Sequence, residues 1–316
     1  MEWTKHLCFC RSVERHCHMD TRALDNRYLQ MTKDLGSMEE PVLICGGAYS
    51  NLEALTALLK KAAELGIPNE RIIHTGDVIA YCADPVATAC LLRDSGAQAI
   101  QGNVEESLWE SMPDCGCGFD EGTLCEKLSA EWFAYADALI DNELREWMGR
   151  LPYQLTFAMA GRRVRVVHGG VHEINTFFYD STPEEKLVAE FDAADADIVV
   201  AGHSGLPFTR RVGDKIWHNS GPLGLPANDG TPRVWFSLMI PESGEIRLEH
   251  HALQYDHETA RAKMIASGLP GGYAEALLTG FWPSLDILPH KEKGRAGKPV
   301  QPQTFTMAGK ASAIAD

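Results

Sequence analysis

Four apolar runs in this chain each end, beside a glycine, in a side chain able to bind a metal ion. They are Ile72-Ile73-His74-Thr75-Gly76-Asp77, residues 97–101 followed by Gly102-Asn103, Val167-His168-Gly169-Gly170, and Ala201-Gly202-His203. A carboxylate at the tip of a hydrophobic strand loses hydration unless a cation or strong donors compensate. Asp77 therefore points to a metal or, on the plainer reading, caps the turn closed by Asp84-Pro85. A single buried histidine is more often a hydrogen-bonded core residue than a ligand. Four such strand ends are a different matter, because glycine permits the tight turns that let their side chains converge. One carboxylate, one amide oxygen and two imidazoles make a site for one divalent transition metal, Mn, Fe or Zn.

Cysteine supplies two further clusters. Cys115-Gly116-Cys117 and Cys125 place three thiols within eleven residues, in an insertion that begins shortly after Asn103. They are expected within reach of the same strand ends, as a second metal site holding structural zinc with a fourth ligand from elsewhere, or as free or redox-active thiols. Cys8, Cys10, His16, Cys17 and His18 read as a soft-metal cluster or as part of a flexible arm. Cys45, Cys82 and Cys90 lie in or beside core elements, as reduced thiols do, and no disulfide framework is expected.

The elements that must position these residues follow from periodicity. Residues 42–45 read as a buried strand, 52–65 as a helix ending at Gly66, 71–75 as a strand, 85–94 as a helix and 97–101 as a strand. This alternation predicts right-handed crossovers and a largely parallel sheet. After Asn103 comes a short helix, then one long amphipathic helix with Leu128, Trp132, Tyr135, Leu139, Leu144 and Trp147 on one face. The second half is richer in strands, at 154–158, 163–167, 198–201, 215–218, 233–239 and 245–251, broken by a helix at 183–191. The expected organisation is a flexible extension over 1–40, one domain over 41–256, C-terminal helices packed on it over 257–288, and a disordered Gly/Lys/Pro/Gln-rich tail over 289–316.

Composition narrows the partners. With 29 basic and 44 acidic residues the net charge is −15, and no basic run is long enough to track a phosphate backbone, so extended nucleic acid is excluded as a partner. No apolar stretch approaches the roughly 20 residues needed to cross a bilayer, and no signal segment is evident. A cytoplasmic protein with no membrane partner is expected, its oligomeric state open.

From Val42 to Tyr255 the order of motifs resembles the calcineurin-like metallophosphoesterases, in particular their small bacterial and archaeal phosphodiesterase branch. The likeness is carried by Ser50-Asn51-Leu52-Glu53-Ala54-Leu55, Gly76-Asp77, Gly102-Asn103, Val167-His168-Gly169, Gly202-His203, His218-Asn219-Ser220-Gly221 and residues 226–233. It implies an α/β fold, a four-layer α/β/β/α sandwich of two mixed sheets with the site along one edge. It also implies hydrolysis of a small phosphomonoester or phosphodiester by metal-activated water.

The departures from that family are concentrated in one place. Its first strand ends Asp-x-His, giving two ligands to the first of two metals; those positions here are Gly47 and Tyr49. Its Gly-His-x-His motif reads Gly202-His203-Ser204-Gly205, which removes a third ligand. The second metal's set, Asp77, Asn103, His168 and His203, is complete, so the resemblance implies a mononuclear site. Val104 stands where many members carry a histidine acid. Glu105 is then a candidate acid, or simply meets the helix dipole. Tyr49 and His218 are candidates to hydrogen-bond a bound anion, His218 alternatively packing beside Trp217. Tyr81 and Cys82 are expected at the rim. Two other readings stay open: a mononuclear non-haem metal enzyme of different chemistry on this fold, and an inactive pseudoenzyme that binds a nucleotide or protein partner.

Overall fold

The computed structural model describes residues 31–310. The N-terminal Cys8, Cys10, His16, Cys17, His18 cluster lies outside the described residues. In chain order the strands are β1 (Thr32–Ser37), β2 (Val42–Cys45), β3 (Ile72–His74), β4 (Gln98–Ala99), β5 (Gln154–Met159), β6 (Arg162–Val166), β7 (Ile198–Ala201), β8 (Phe208–Val212), β9 (Lys215–Asn219), β10 (Val234–Glu242), β11 (Glu245–Leu253) and β12 (Thr304–Ala308). The helices are α1 (Leu52–Glu64), α2 (Pro85–Ser95), α3 (Asn103–Glu110), α4 (Leu124–Leu139), α5 (Asn142–Gly149), α6 (Glu184–Ala194), α7 (His257–Ala266), α8 (Gly271–Thr279) and α9 (His290–Lys293).

The strands form two mixed six-stranded sheets, ordered β1-β5-β6-β7-β9-β8 and β12-β11-β10-β2-β3-β4. β2 carries four apolar residues without alternation because both of its faces are covered. Ile44 and Ile73 meet Leu155, Val166, Val200 and Ile216 of the other sheet in one core between the sheets. On the outer faces Leu55, Leu58, Trp132 and Leu277 pack from the helices over one sheet, and Leu187 and Phe191 of α6 pack over the other with Trp217. Helices outside two facing sheets give the expected four layers. Truncating a fully buried residue such as Ile73 to alanine costs about 2–5 kcal/mol in such cores.

Three expectations fail. The tail is not disordered through residue 310: Phe305 and Met307 turn inward from β12, which pairs antiparallel with β11 and adds Met307 to the core between the sheets. Its Gly, Lys, Pro and Gln content concealed a short alternating strand. Part of the presumed flexible extension is likewise ordered, as β1 runs parallel to β5 with Thr32 opposite Gln154. Finally, the long amphipathic helix is two, because the Asp141 side chain accepts the Leu144 N–H at 2.9 Å and starts α5 afresh.

Parallel pairing fixes where the site falls. β2, β3 and β4 are parallel in one sheet, and β6, β7 and β9 in the other. The segments leaving β3, β4, β6 and β7 therefore emerge at one edge, where open α/β sheets place their ligands.

Candidate metal centre

At that edge one ligand atom each from Asp77, His168 and His203 lie within 4.8 Å of one another. His168 Nε2 is the centre of the group, 2.9 Å from Asn103 Oδ1, 3.1 Å from His203 Nδ1 and 3.3 Å from Asp77 Oδ2. Asp77 and His203 both adopt left-handed backbone, φ +59° and +52°. Such positions cost about 1–3 kcal/mol and persist where the surroundings over-determine them.

The surroundings do so by hydrogen bonds that orient each donor. His168 Nδ1 lies 2.6 Å from the Thr75 carbonyl, which must receive a proton, so Nε2 is the nitrogen turned toward the cluster. Asn103 Nδ2 donates to the Cys115 carbonyl at 2.8 Å, which turns Oδ1 inward. Asn219 Nδ2 donates to the Gly202 carbonyl and Ser204 Oγ, at 2.6 and 3.0 Å, and so braces the loop that carries His203. Val104 N–H donates to Asp77 Oδ1 at 3.3 Å.

Electrostatics agrees with the geometry. Burial opposes ionisation of Asp77, but the charge and hydrogen bond of His168, with His203 and the Val104 N–H, hold its carboxyl below the usual range. Burial likewise works against a charged His168, yet Asp77 more than offsets it and the pKa of the ring rises. Burial and then His168 push His203 down to about 3, keeping that imidazole neutral. An anionic carboxylate, an amide oxygen and two imidazoles fit a divalent transition metal, with Asp77, Asn103 and His168 held by outer partners and His203 Nε2 buried without one.

Beside this polar corner the same loops carry aromatic rings. A Cβ added to Gly47 would lie 2.2 Å from Tyr49 Cε1, so the Tyr49 ring fills the space a longer side chain at 47 would need. A Cβ on Gly205 would meet the Trp282 indole at 3.3 Å. Trp282 is pinned from behind, its Nε1 donating to the Pro226 carbonyl at 2.7 Å and its backbone N–H to Asn228 Oδ1 at 3.0 Å. Tyr49, Tyr81, Tyr273, Phe177 and Trp282 line a cleft with Asp77 and His203 that leaves about 40 Å³ of open space.

Several residues that the sequence singles out for chemistry serve other purposes. The acid role for Glu105 fails: its carboxylate is fully buried and accepts from Asp77 N–H at 2.7 Å, Gly102 N–H at 2.9 Å and Ile79 N–H at 3.2 Å. It closes a capping box at α3 and ties that helix to the Asp77 turn. Burial and then Asp77 raise its pKa to about 7, against the Gly102 and Ile79 N–H groups. His218 does not reach the cleft either. It points between the sheets, 2.8 Å from Thr209 Oγ1 and stacked on His250 with ring centroids 4.6 Å apart. Cys82 is buried with its thiol near the Gly224 carbonyl, whereas Tyr81 does line the cleft.

The cysteine loop lies beside the metal edge, but not as three zinc ligands. Cys115 and Cys117 are joined to each other as a disulfide, leaving Cys125 as a separate buried thiol. That bridge stands against the expectation of no disulfide framework, whereas Cys45, Cys82 and Cys90, expected as reduced thiols, are free. Cys117 and Cys125 both border the cleft, and Cys117 Sγ is 3.4 Å from Asn103 Nδ2.

The Thr75 carbonyl, Tyr273 and Trp282 are not foreseen from sequence. A backbone carbonyl has no residue signal, and the two aromatics come from segments whose packing is decided by tertiary structure.

A family model for the calcineurin-like phosphoesterase superfamily domain matches residues 42–240. An uncharacterized protein of Methanocaldococcus jannaschii is 23% identical over 251 residues, covering 76% of this chain and 98% of that protein. The crystal structure of a metallophosphoesterase from Sphaerobacter thermophilus has a TM-score of 0.61 at 20% identity, covering 77% of this chain and 100% of its own. A hypothetical protein from Pyrococcus horikoshii has a TM-score of 0.63 at 17% identity, covering 77% of this chain and 99% of its own. At these identities the two structures are alike in fold.

Proposed function

The chain belongs to the calcineurin-like phosphoesterase superfamily, and on that premise we propose that it is a metal-dependent hydrolase of a small phosphorylated substrate, a phosphomonoester or phosphodiester, with a mononuclear site. The observation that carries this reading is the convergence of Asp77, Asn103 and His203 on His168 Nε2, with outer hydrogen bonds orienting His168 and Asn103 and bracing the loop that carries His203. These four residues would hold one Mn, Fe or Zn ion, which when bound supplies Lewis acidity at a phosphoryl oxygen and an acidified water.

The chain's own residues do the rest. Asp77 stays ionised and adds negative charge on the ligand side, while His203 stays neutral. Tyr49 faces the cleft and positions a substrate oxygen through its hydroxyl. Trp282 and Phe177 restrict water. Among the described residues no lysine or arginine lines the cleft, so a singly charged diester suits it better than a dianionic monoester. With Glu105 tied to backbone N–H groups and valine at 104, neither position offers a proton to the leaving group. Esters of acidic alcohols, which depart as anions, therefore fit best. No described helix is long and apolar enough to cross a membrane, and we place the protein in the cytoplasm.

The test is hydrolysis of bis(4-nitrophenyl) phosphate and 4-nitrophenyl phosphate by manganese-loaded protein. Turnover of the diester, faster than of the monoester and lost in His203→Ala, is expected. Bound manganese with no hydrolysis of either ester would overturn the hydrolase assignment.

A further inference from the structure

Three tyrosines meet beside the metal-binding corner, and the chemistry of that meeting is separate from the ligands. Tyr49 follows β2, Tyr81 follows the Asp77 turn, and Tyr273 comes from α8, which lies beyond the residues matched by the family model. The rings of Tyr49 and Tyr81 pack edge to face with centroids 5.0 Å apart, and those of Tyr81 and Tyr273 lie 4.5 Å apart. All three border the cleft that Asp77 and His203 also line. Tyr49 and Tyr81 reach it from left-handed backbone, φ +53° and +44°, which bulky residues adopt only where the fold demands it.

Packing alone would not require tyrosine here, since phenylalanine fills the same ring volume. What tyrosine adds is a hydroxyl, and none of the hydroxyls of Tyr49, Tyr81 and Tyr273 is among the sealed, unpartnered buried atoms, unlike Tyr255 Oη and His203 Nε2, so the three border the cleft without being shut away from it. Phenols are protonated at neutral pH and so able to donate. The open space of about 40 Å³ is more than a single water needs.

We propose that Tyr49, Tyr81 and Tyr273 form a neutral hydroxyl-donor site that binds the non-bridging oxygens of a phosphoryl group beside the Asp77–His203 corner. The site stands in the volume that Gly47 and Gly205 leave to aromatic rings, so uncharged donors take up oxygens that a second cation would otherwise neutralise. This inference rests on the phosphoesterase reading for its ligand class, but not for its test.

The experiment is isothermal titration of the manganese-loaded full chain with inorganic phosphate, comparing wild type with Tyr49→Phe, Tyr81→Phe and Tyr273→Phe. Tyr135→Phe serves as the control, because that hydroxyl donates to the Ala83 carbonyl away from the cleft. Each cleft variant is expected to bind phosphate about tenfold more weakly, the scale of one hydrogen bond to a charged partner. Manganese affinity and melting temperature should be unchanged, and Tyr135→Phe should match wild type. Unchanged phosphate affinity in all three cleft variants overturns the site, as does a parallel loss of manganese, which would make the tyrosines supports of the metal corner. Absence of turnover in wild type with phosphate binding intact would count against the hydrolase reading alone.

Discussion

Two corners of one cleft, built by neighbouring loops, have opposite characters. In one, Asp77, Asn103, His168 and His203 bring an anion, an amide oxygen and two imidazoles together, and carbonyls of Thr75 and Cys115 fix which atoms face inward. In the other, glycines at 47 and 205 yield to the rings of Tyr49 and Trp282. The difference teaches that a metal site is defined by its outer hydrogen bonds as much as by its ligands. Where those bonds exist the polar set is intact, and where the ligand positions are glycine the space is filled with rings.

The largest effect should come from breaking the polar corner. Asp77→Asn removes the one anionic ligand and His203→Ala one imidazole, and each should lower bound metal below about one-tenth per chain and hydrolysis by about a thousandfold. Metal analysis of purified protein with parallel assays checks both. Tyr49→Phe should leave the metal in place.

Glu105→Gln comes next, because the carboxylate receives three backbone N–H groups and an amide turns a donor toward some of them. A loss of about 2–3 kcal/mol in urea unfolding is expected, with weaker metal binding because the Asp77 turn loosens. Wild-type stability in this variant would return Glu105 to the candidate acids.

The aromatic corner can be probed by putting back what it lacks. Gly47→Asp should cost about 1–3 kcal/mol, as its Cβ runs into the Tyr49 ring. Adding Tyr49→His should recover most of that. A stable single variant would mean that the ring moves freely and does not occupy the position.

The smallest expected effect lies behind both corners, in the stacked His218 and His250 pair. Burial pushes His250 down to about 4, despite its bond to the Asn219 carbonyl, and burial with His250 holds His218 well below its ordinary value. The unfolded chain therefore binds protons that the folded one refuses, and stability falls as pH drops from about 6.5 toward 4. His250 alone should account for about 2 kcal/mol between about pH 7 and pH 5. His250→Gln should flatten the unfolding profile over that window, and an unchanged slope would contradict the assignment.

Much of this was legible in local sequence. Each of the four strand-end side chains follows an apolar run beside glycine, so residue type and position carry the signal together. Gly47, Tyr49 and Gly205 stood out only against a family pattern, and what fills their space could not be read, because Trp282 arrives from a segment 77 residues beyond Gly205 in the chain. His218 was misplaced although the clue was present: it shares the inward face of β9 with Ile216 at a spacing of two. Glu105 is a candidate acid only because Val104 stands where the family carries a histidine, and the alternative, a role at the helix start, is the one its capping box supports. The β12 strand was masked by the composition around it.

The account turns on the number of metals held by the two corners. Protein purified without chelator should contain one divalent transition metal per chain, and calorimetric titration of metal-free protein with manganese should show one tight site, lost in Asp77→Asn. Two tight sites per chain would contradict the claim that the aromatic corner has displaced a metal.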